Sequence, residues 1–131
     1  MSPIVFSSGS AVLVVDDEPF VRLDAMDIAA DSGFRAYGAG DSATALAMLE
    51  RHPDIAVLLA DIEMPGAMNG LKLAHMVRER WPPVVIMIAS GNRGVLKGDM
   101  PAGAMFFLKP YAPSAIMRCL KASAGRLAAV A

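Results

Sequence analysis

A run of apolar residues that stops on a carboxylate constrains this chain more than any other feature. Ile55-Ala56-Val57-Leu58-Leu59-Ala60 leads directly into Asp61, and the helix-breaking pair Pro65-Gly66 follows shortly after. Apolar character on both faces over about six residues fits a strand covered on each side, as in a parallel sheet. An Asp at the carboxyl end of such a strand stands where open α/β sheets bind ligands. Taken alone, it serves equally well as the cap of a following turn.

A second strand end of the same kind separates these explanations. Ala11-Val12-Leu13-Val14-Val15 is again apolar throughout and leads into Asp16-Asp17-Glu18-Pro19. Side by side in one parallel sheet, the two strands would bring three or four carboxylates to one edge. Repulsion among them raises the pKa of at least one, unless a cation sits between them. Hard oxygen ligands in such a cluster suit Mg²⁺, which typically takes one or two carboxylates plus waters and phosphate oxygens. The cluster reads as a site rather than as a cap.

The rest of the chain supplies the remainder of such a sheet. Its 131 residues suffice for one domain with a real core, and 55% apolar against 19% charged residues make it globular. No apolar run approaches the ~20 residues of a membrane span, and the first ten residues lack a signal-peptide pattern. Cys119 is the only cysteine, so there is no disulfide framework and a reducing cytoplasm is the expected location. The thiol itself reads as a small packed apolar group. Residues 1–63 hold eleven acidic and three basic side chains, and residues 64–131 hold two acidic and nine basic. The basic half could serve an acidic partner surface, but it lacks interleaved aromatics, so solvated helix faces are the favoured explanation and no direct nucleic-acid partner is expected.

Taken in order, the chain opens with a Ser/Pro/Gly-containing arm and a first strand over 11–15. Pro19 and Gly33 bracket a first helix over about 19–32, with Val21, Ala25, Ile28 and Ala29 inward and Asp24, Asp27 and Asp31 on a solvent face. An edge strand begins at Phe34, and Asp41 or Ser42 caps a second helix that Pro53 ends, with Leu46 and Leu49 inward. After the strand at 55–61, a third helix spans about 71–80, with Leu71, Ala74, Val77 and Trp81 at core spacing. Strands over 84–89 and 105–108 follow, and Pro113 opens a last amphipathic helix to about residue 127, with Ile116, Leu120 and Leu127 inward. Strands alternating with helices specify a doubly wound five-stranded α/β fold. Between the last two strands, Gly94, Gly98, Pro101 and Gly103 leave room for at most one or two helical turns, a shortened fourth helix.

Four strands therefore end in polar residues: Asp16-Asp17, Asp61, Ser90 and Lys109. Phosphoryl transfer to a carboxylate needs this set. The ionised Asp61 is the nucleophile, Mg²⁺ bridges it to the phosphoryl oxygens, the Lys109 ammonium neutralises another oxygen, and the Ser90 hydroxyl donates to the bound group. Each residue has a plain structural explanation by itself, Ser90-Gly91 as a turn and Lys109 as a surface charge. Four strand ends sharing one chemistry make those explanations poor.

The chain resembles the receiver domain of bacterial two-component response regulators, of the stand-alone chemotaxis-regulator kind, over roughly residues 10–127. Val14-Val15-Asp16-Asp17-Glu18-Pro19 is similar to the family's acidic pair, and Asp61-Ile62-Glu63-Met64-Pro65 to its acceptor strand. Met68-Asn69-Gly70, Ala89-Ser90-Gly91 and Phe107-Leu108-Lys109-Pro110 match the loop, hydroxyl and lysine positions. The resemblance implies a flavodoxin-like strand order 2-1-3-4-5. It also implies that Asp17 and Asp61 ligate Mg²⁺, with Glu63 contributing its backbone carbonyl and Asp16 acting through water. Phe106 stands at the switch-aromatic position, paired with Ser90, and differs from a Tyr in lacking a hydroxyl. The loop at Gly66-Ala67-Met68 is one residue longer than the family pattern.

The function implied is acceptance of a phosphoryl group on Asp61 from a histidine kinase or histidine phosphotransfer protein, followed by altered affinity for a downstream protein partner. With no length left for an output domain, a single receiver domain spanning 1–131 would act as a relay, a phosphate sink or a regulator of a separate protein. It would be no enzyme beyond catalysing its own phosphorylation and dephosphorylation. Two other classes share some of these features. A receiver-like module could bind its partner without phosphorylation. A haloacid-dehalogenase-like hydrolase also uses an aspartyl phosphate and Mg²⁺, with an acid at the offset Glu63 occupies. Nothing in the chain resembles that family's following Thr or its cap.

Overall fold

The computed structural model describes residues 9–64, 68–92, 94 and 97–130. Five strands form one parallel sheet: β1 (Ala11–Val15), β2 (Arg35–Ala39), β3 (Ile55–Asp61), β4 (Val85–Ser90) and β5 (Met105–Leu108). Their order is β2-β1-β3-β4-β5, as the resemblance implied. β3 lies at the centre because its apolar run can be buried on both faces. The step from β1 outward to β2 and then back to β3 reverses the winding, so helices cover both faces.

Side chains alternate across the sheet with period two and sort the core into two halves. Leu13, Val15, Leu58, Ala60, Ile86 and Ile88 pack against α2 (Ser42–Arg51) and α3 (Gly70–Arg80). Val12, Val14, Val57, Leu59 and Met87 pack against Ala25 and Ala29 of α1 (Pro19–Asp31) and Ile116 and Leu120 of α4 (Pro113–Val130). Local chemistry sets the helix starts. The Glu18 carboxylate accepts the Val21 N–H, Asp41 accepts that of Thr44, and the Asn69 side chain accepts those of Leu71 and Lys72. At the end of α1, Gly33 turns the chain at φ +91°, a left-handed conformation that favours glycine.

Three sequence expectations shift in detail. α3 starts at Gly70, one residue early, and buries Leu73 with Ala74 and Val77, whereas Leu71 and Trp81 are only half-buried against the same core. A helix lying on a sheet buries a stripe wider than one i, i+3, i+4 row, and here the stripe is centred toward Leu73. Val21 and Ile28 are likewise only half-buried, because the facing surface opens into a cavity beside Tyr111. The last helix runs on to Val130.

Between β4 and β5 the regular structure among the described residues is a single 3₁₀ turn, Lys97–Asp99, in keeping with the glycine content. Val95 and Leu96, the apolar anchors of that segment in the sequence, lie outside the described residues, as do Pro65, Gly66 and Ala67 of the lengthened loop. α3 holds the later part of the crossover. His75 Nε2–H donates to the Asp99 carbonyl at 2.7 Å. Arg78 Nε donates to the Ala102 carbonyl at 3.0 Å, and its Nη1 to those of Pro82 and Val84 at 2.8 and 3.0 Å. Two side chains of one helix thereby bond four loop carbonyls.

The start of α3 is pressed against the end of β3. A Cβ at Gly70 would lie 2.0 Å from the Asp61 carbonyl oxygen and 2.7 Å from its carbon, so only glycine fits there without backbone movement. Gly70→Ala is expected to destabilise the protein by about 3 kcal/mol, the upper range for overpacking, in urea unfolding. Gly98→Ala, where a Cβ meets nothing within 4 Å, is the control and should change stability far less. Equal effects of the two substitutions would contradict this contact.

Candidate functional site

Every polar strand end singled out in the sequence lies on the carboxyl edge of the sheet. Asp16 follows β1 and is buried with its backbone N–H bonded to the Ala39 carbonyl at the end of β2. Its carboxylate is held by two donors: the Glu18 N–H on Oδ1 at 3.0 Å and Lys109 Nζ on Oδ2 at 3.0 Å. Arg22 of α1 reaches back to the Asp16 carbonyl at 2.8 Å and fixes the start of the loop. Asp17, next in the chain, is exposed. Asp61 ends β3 with only 7% of its surface accessible. Among the described residues, both of its side-chain contacts fall on Oδ1: Lys109 Nζ at 3.4 Å and the Glu63 N–H at 3.3 Å.

Oxygens of Asp16, Asp17 and Asp61 lie within 4.8 Å of one another. Three carboxylates at that spacing and one ammonium leave excess negative charge in a mostly buried place. The donor set, all hard carboxylate oxygens, fits a cation such as Mg²⁺. The electrostatics agree with that fit. Burial pushes the Asp61 carboxyl up to about 6, with Asp16 and Glu63 adding to the rise and Lys109 opposing it. For Lys109, burial works against the charged form, but the hydrogen bond to Asp16 and the charges of Asp61 and Asp16 prevail and raise its pKa. The ammonium is therefore charged at neutral pH, as its place between two carboxylates demands.

Ser90 ends β4 and is completely buried, and its carbonyl accepts the Lys109 N–H at 2.8 Å, which ties the two strand ends together. Its hydroxyl is engaged away from Asp61. Ser90 Oγ donates to Glu63 Oε2 at 2.5 Å and accepts the Asn92 N–H at 2.9 Å. In the receiver reading Glu63 was expected to contribute only its backbone carbonyl, and this contact of its side chain was missed. The acid two residues beyond Asp61 was visible, but only the folded edge shows which strand end it meets. Phe106 pairs with Ile88 across β4 and β5 and lies half-buried on the α3 side of the sheet.

One cavity adjoins this edge. It has a volume of about 400 Å³ and lies between α1 and the start of α4, lined by Val21, Asp24, Ile28, Tyr111 and Lys109 among others. Burial raises the Tyr111 pKa, so this side chain stays a neutral, mostly apolar wall. Phe20 and Leu23, on the same helix, are exposed to 77% and 54% of their surface.

Comparison with known proteins agrees with this geometry. The family model for the response regulator receiver domain matches residues 12–121. The chemotaxis protein CheY of Thermotoga maritima is 31% identical over 119 residues, covering 86% of this chain and 95% of that protein. The hydrogenase transcriptional regulatory protein HoxA of Cupriavidus necator is 37% identical over 108 residues, and the transcriptional regulatory protein PdtaR of Mycobacterium tuberculosis 29% over 119. The matches cover 79% and 88% of this chain but only 22% and 57% of those longer proteins. Among solved structures, a response regulator receiver protein from Sinorhizobium medicae superposes with a TM-score of 0.82 at 22% identity, over 90% of this chain and 96% of that one. At that identity the likeness speaks for the fold. No helix among the described residues is long and apolar enough to cross a membrane.

The raised pKa of Asp61 has a measurable consequence. The folded carboxyl titrates near 6, against 3.8 for an ordinary Asp. Between those values the folded protein binds more protons than the unfolded chain, so this group makes the cation-free protein more stable as pH falls from neutral toward 5. Asp61→Asn removes the cost of the buried charge. It should stabilise the cation-free protein by on the order of 2 kcal/mol near neutral pH and by less near pH 4.5, measured by urea unfolding in a chelator. Unchanged or lower stability of Asp61→Asn at neutral pH would contradict the raised pKa.

Proposed function

This chain belongs to the response regulator receiver family, and on that premise we propose that it accepts a phosphoryl group on Asp61 and changes its affinity for a protein partner in response. The observation that carries this reading is a buried Asp at the end of the central strand, contacted by a charged Lys109 and flanked by Asp16 and Asp17. The phosphodonor is a histidine kinase or a histidine phosphotransfer protein. The receiver unit comprises the part of the chain that the family model matches, residues 12–121.

Because the described contacts of Asp61 fall on Oδ1, Oδ2 is the attacking oxygen. As the bond from Oδ2 to phosphorus forms, the N–P bond of the donor's phosphohistidine breaks. Imidazole leaves with the electron pair and takes up a proton from solvent. Asp61 must be ionised to attack, which its pKa near 6 allows at neutral pH. Lys109, held by Asp16, offers its ammonium to the oxygens of the arriving group and needs only a small displacement from Asp61. Asp17 and Asp61 would hold Mg²⁺ directly, with the Glu63 carbonyl contributing and Asp16 acting through water. The ion, when bound, neutralises the carboxylates and the charge on the transferring phosphoryl group. Ser90 donates its hydroxyl to the bound phosphoryl group, and Phe106 follows Ser90, biasing the switch through burial of its ring alone.

A hydrolase reading would require Glu63 to deliver a proton to a leaving group. Its carboxylate is instead bonded to Ser90 and Gly91, which argues against that role. Incubation with acetyl phosphate and Mg²⁺ should add one phosphoryl group to the wild-type protein by intact-mass spectrometry. Asp61→Ala should take up none, and Asp17→Ala should react at least about ten-fold more slowly at limiting Mg²⁺. A Mg²⁺-dependent adduct that persists in Asp61→Ala would overturn the assignment.

A further inference from the structure

Ser90 has one donor proton, and Glu63 holds it. The Ser90 hydroxyl donates to Glu63 Oε2 at 2.5 Å, and the Gly91 N–H donates to Oε1 of the same carboxylate at 2.9 Å. Both oxygens of one acidic side chain are thus engaged by consecutive residues at the end of β4. A hydroxyl offers a single hydrogen, so with Glu63 in place Ser90 has none for a group on Asp61. As an acceptor, Ser90 Oγ takes the Asn92 N–H at 2.9 Å. The two partners differ in what they can do next. Ser90 is fully buried and needs a protein acceptor, whereas Glu63 is exposed and can turn to water.

We propose that the Glu63 carboxylate is a latch that competes with a phosphoryl group on Asp61 for the Ser90 hydroxyl, so that phosphorylation releases Glu63 and frees the Gly91–Asn92 start of the crossover to β5. The proposal rests on Asp61 being the phosphoryl acceptor. The arrangement favours exchange once the group arrives. The Glu63 N–H donates to Asp61 Oδ1 at 3.3 Å, so the latch is built two residues from the acceptor and on the same turn of chain. A phosphoryl group adds negative charge and strong acceptor oxygens beside that turn. It repels the carboxylate while offering Ser90 a better acceptor. Losing Glu63 costs Gly91 its acceptor as well, but Gly91 is exposed and its N–H can bond water. Ser90 therefore has two discrete states, bonded to Glu63 or to the phosphoryl group, and the first of them also fixes the backbone of Gly91. Glu63 is a positioning residue that acts through Ser90. It opposes the phosphorylated state by the strength of its hold.

Beryllium trifluoride with saturating Mg²⁺, a tetrahedral mimic of the phosphoryl group, tests this through a double-mutant cycle. Glu63→Ala should bind the mimic about ten-fold more tightly than wild type, as expected for removing one charged hydrogen bond that competes with binding. Glu63→Ala also removes a negative charge near an anion, and the Ser90→Ala background separates the two causes. The gain should largely vanish there if the latch acts through the hydroxyl, and should persist undiminished if charge alone is responsible, which would overturn the proposal. In wild type, amide exchange at Gly91 should accelerate when the mimic binds, and unchanged protection would likewise overturn it. If wild type forms no Mg²⁺-dependent complex, or if Asp61→Ala forms it equally well, the reading of Asp61 fails and the latch falls with it.

Discussion

Lys109 reaches across the carboxyl edge of the sheet to two buried carboxylates, Asp16 at 3.0 Å and Asp61 at 3.4 Å, and the organisation of the site depends on that contact. One ammonium cannot neutralise Asp16, Asp17 and Asp61 together. Burial holds Asp61 well above the ordinary carboxylate range, with the charges of Asp16 and Glu63 adding to the rise, and the uncompensated negative charge of the cluster makes a cation welcome. Hydrophobic burial positions these groups. Strands β1 and β3 are covered on both faces, and the polar residues that follow them emerge where the covering helices stop. The site is thus a by-product of where the core ends, sharpened by one lysine from β5.

The same principle explains how much of the molecule was legible in the sequence. β1, β3 and β4 are apolar on both faces, and such runs declare a parallel sheet by themselves, while Pro19, Asp41 and Gly33 mark helix ends through chemistry that acts locally. Asp16, Asp17, Asp61 and Lys109 were legible because each closes a strand, and a parallel sheet aligns strand ends. The partners of Glu63 were not. A long flexible carboxylate can reach several neighbours, and its choice of Ser90 and Gly91 is settled by three-dimensional proximity that no spacing encodes. The phase of α3 was misread by the same lack, since the width of the buried stripe depends on the sheet beneath it. Arg78 is a third case. In the sequence it is one charge among several on an exposed face, yet it caps carbonyls from two loops.

These long-range contacts share a location. Glu63 holds the first residue after β4, whereas His75 and Arg78 hold the carbonyls of Asp99 and Ala102, so the crossover to β5 is tied at both ends by side chains of other elements. A well-formed helix would satisfy its own backbone there and would need fewer such ties. Among the described residues the segment forms a single 3₁₀ turn at Lys97–Asp99, and its backbone groups are held in part by side-chain tethers that can be released. A crossover held in this way can respond to a change of charge at Asp61 with little repacking of the core, which the two buried clusters keep fixed.

Burial and crowding among carboxylates set the charge state of Asp61, and a bound cation would reset it. Titrating the ¹³C-labelled Asp61 carboxyl by NMR, with and without Mg²⁺, tests this most directly. The pKa should be raised to about 6 without the ion and lowered into or below the ordinary range when Mg²⁺ is bound. An ordinary carboxylate pKa in both conditions would contradict it.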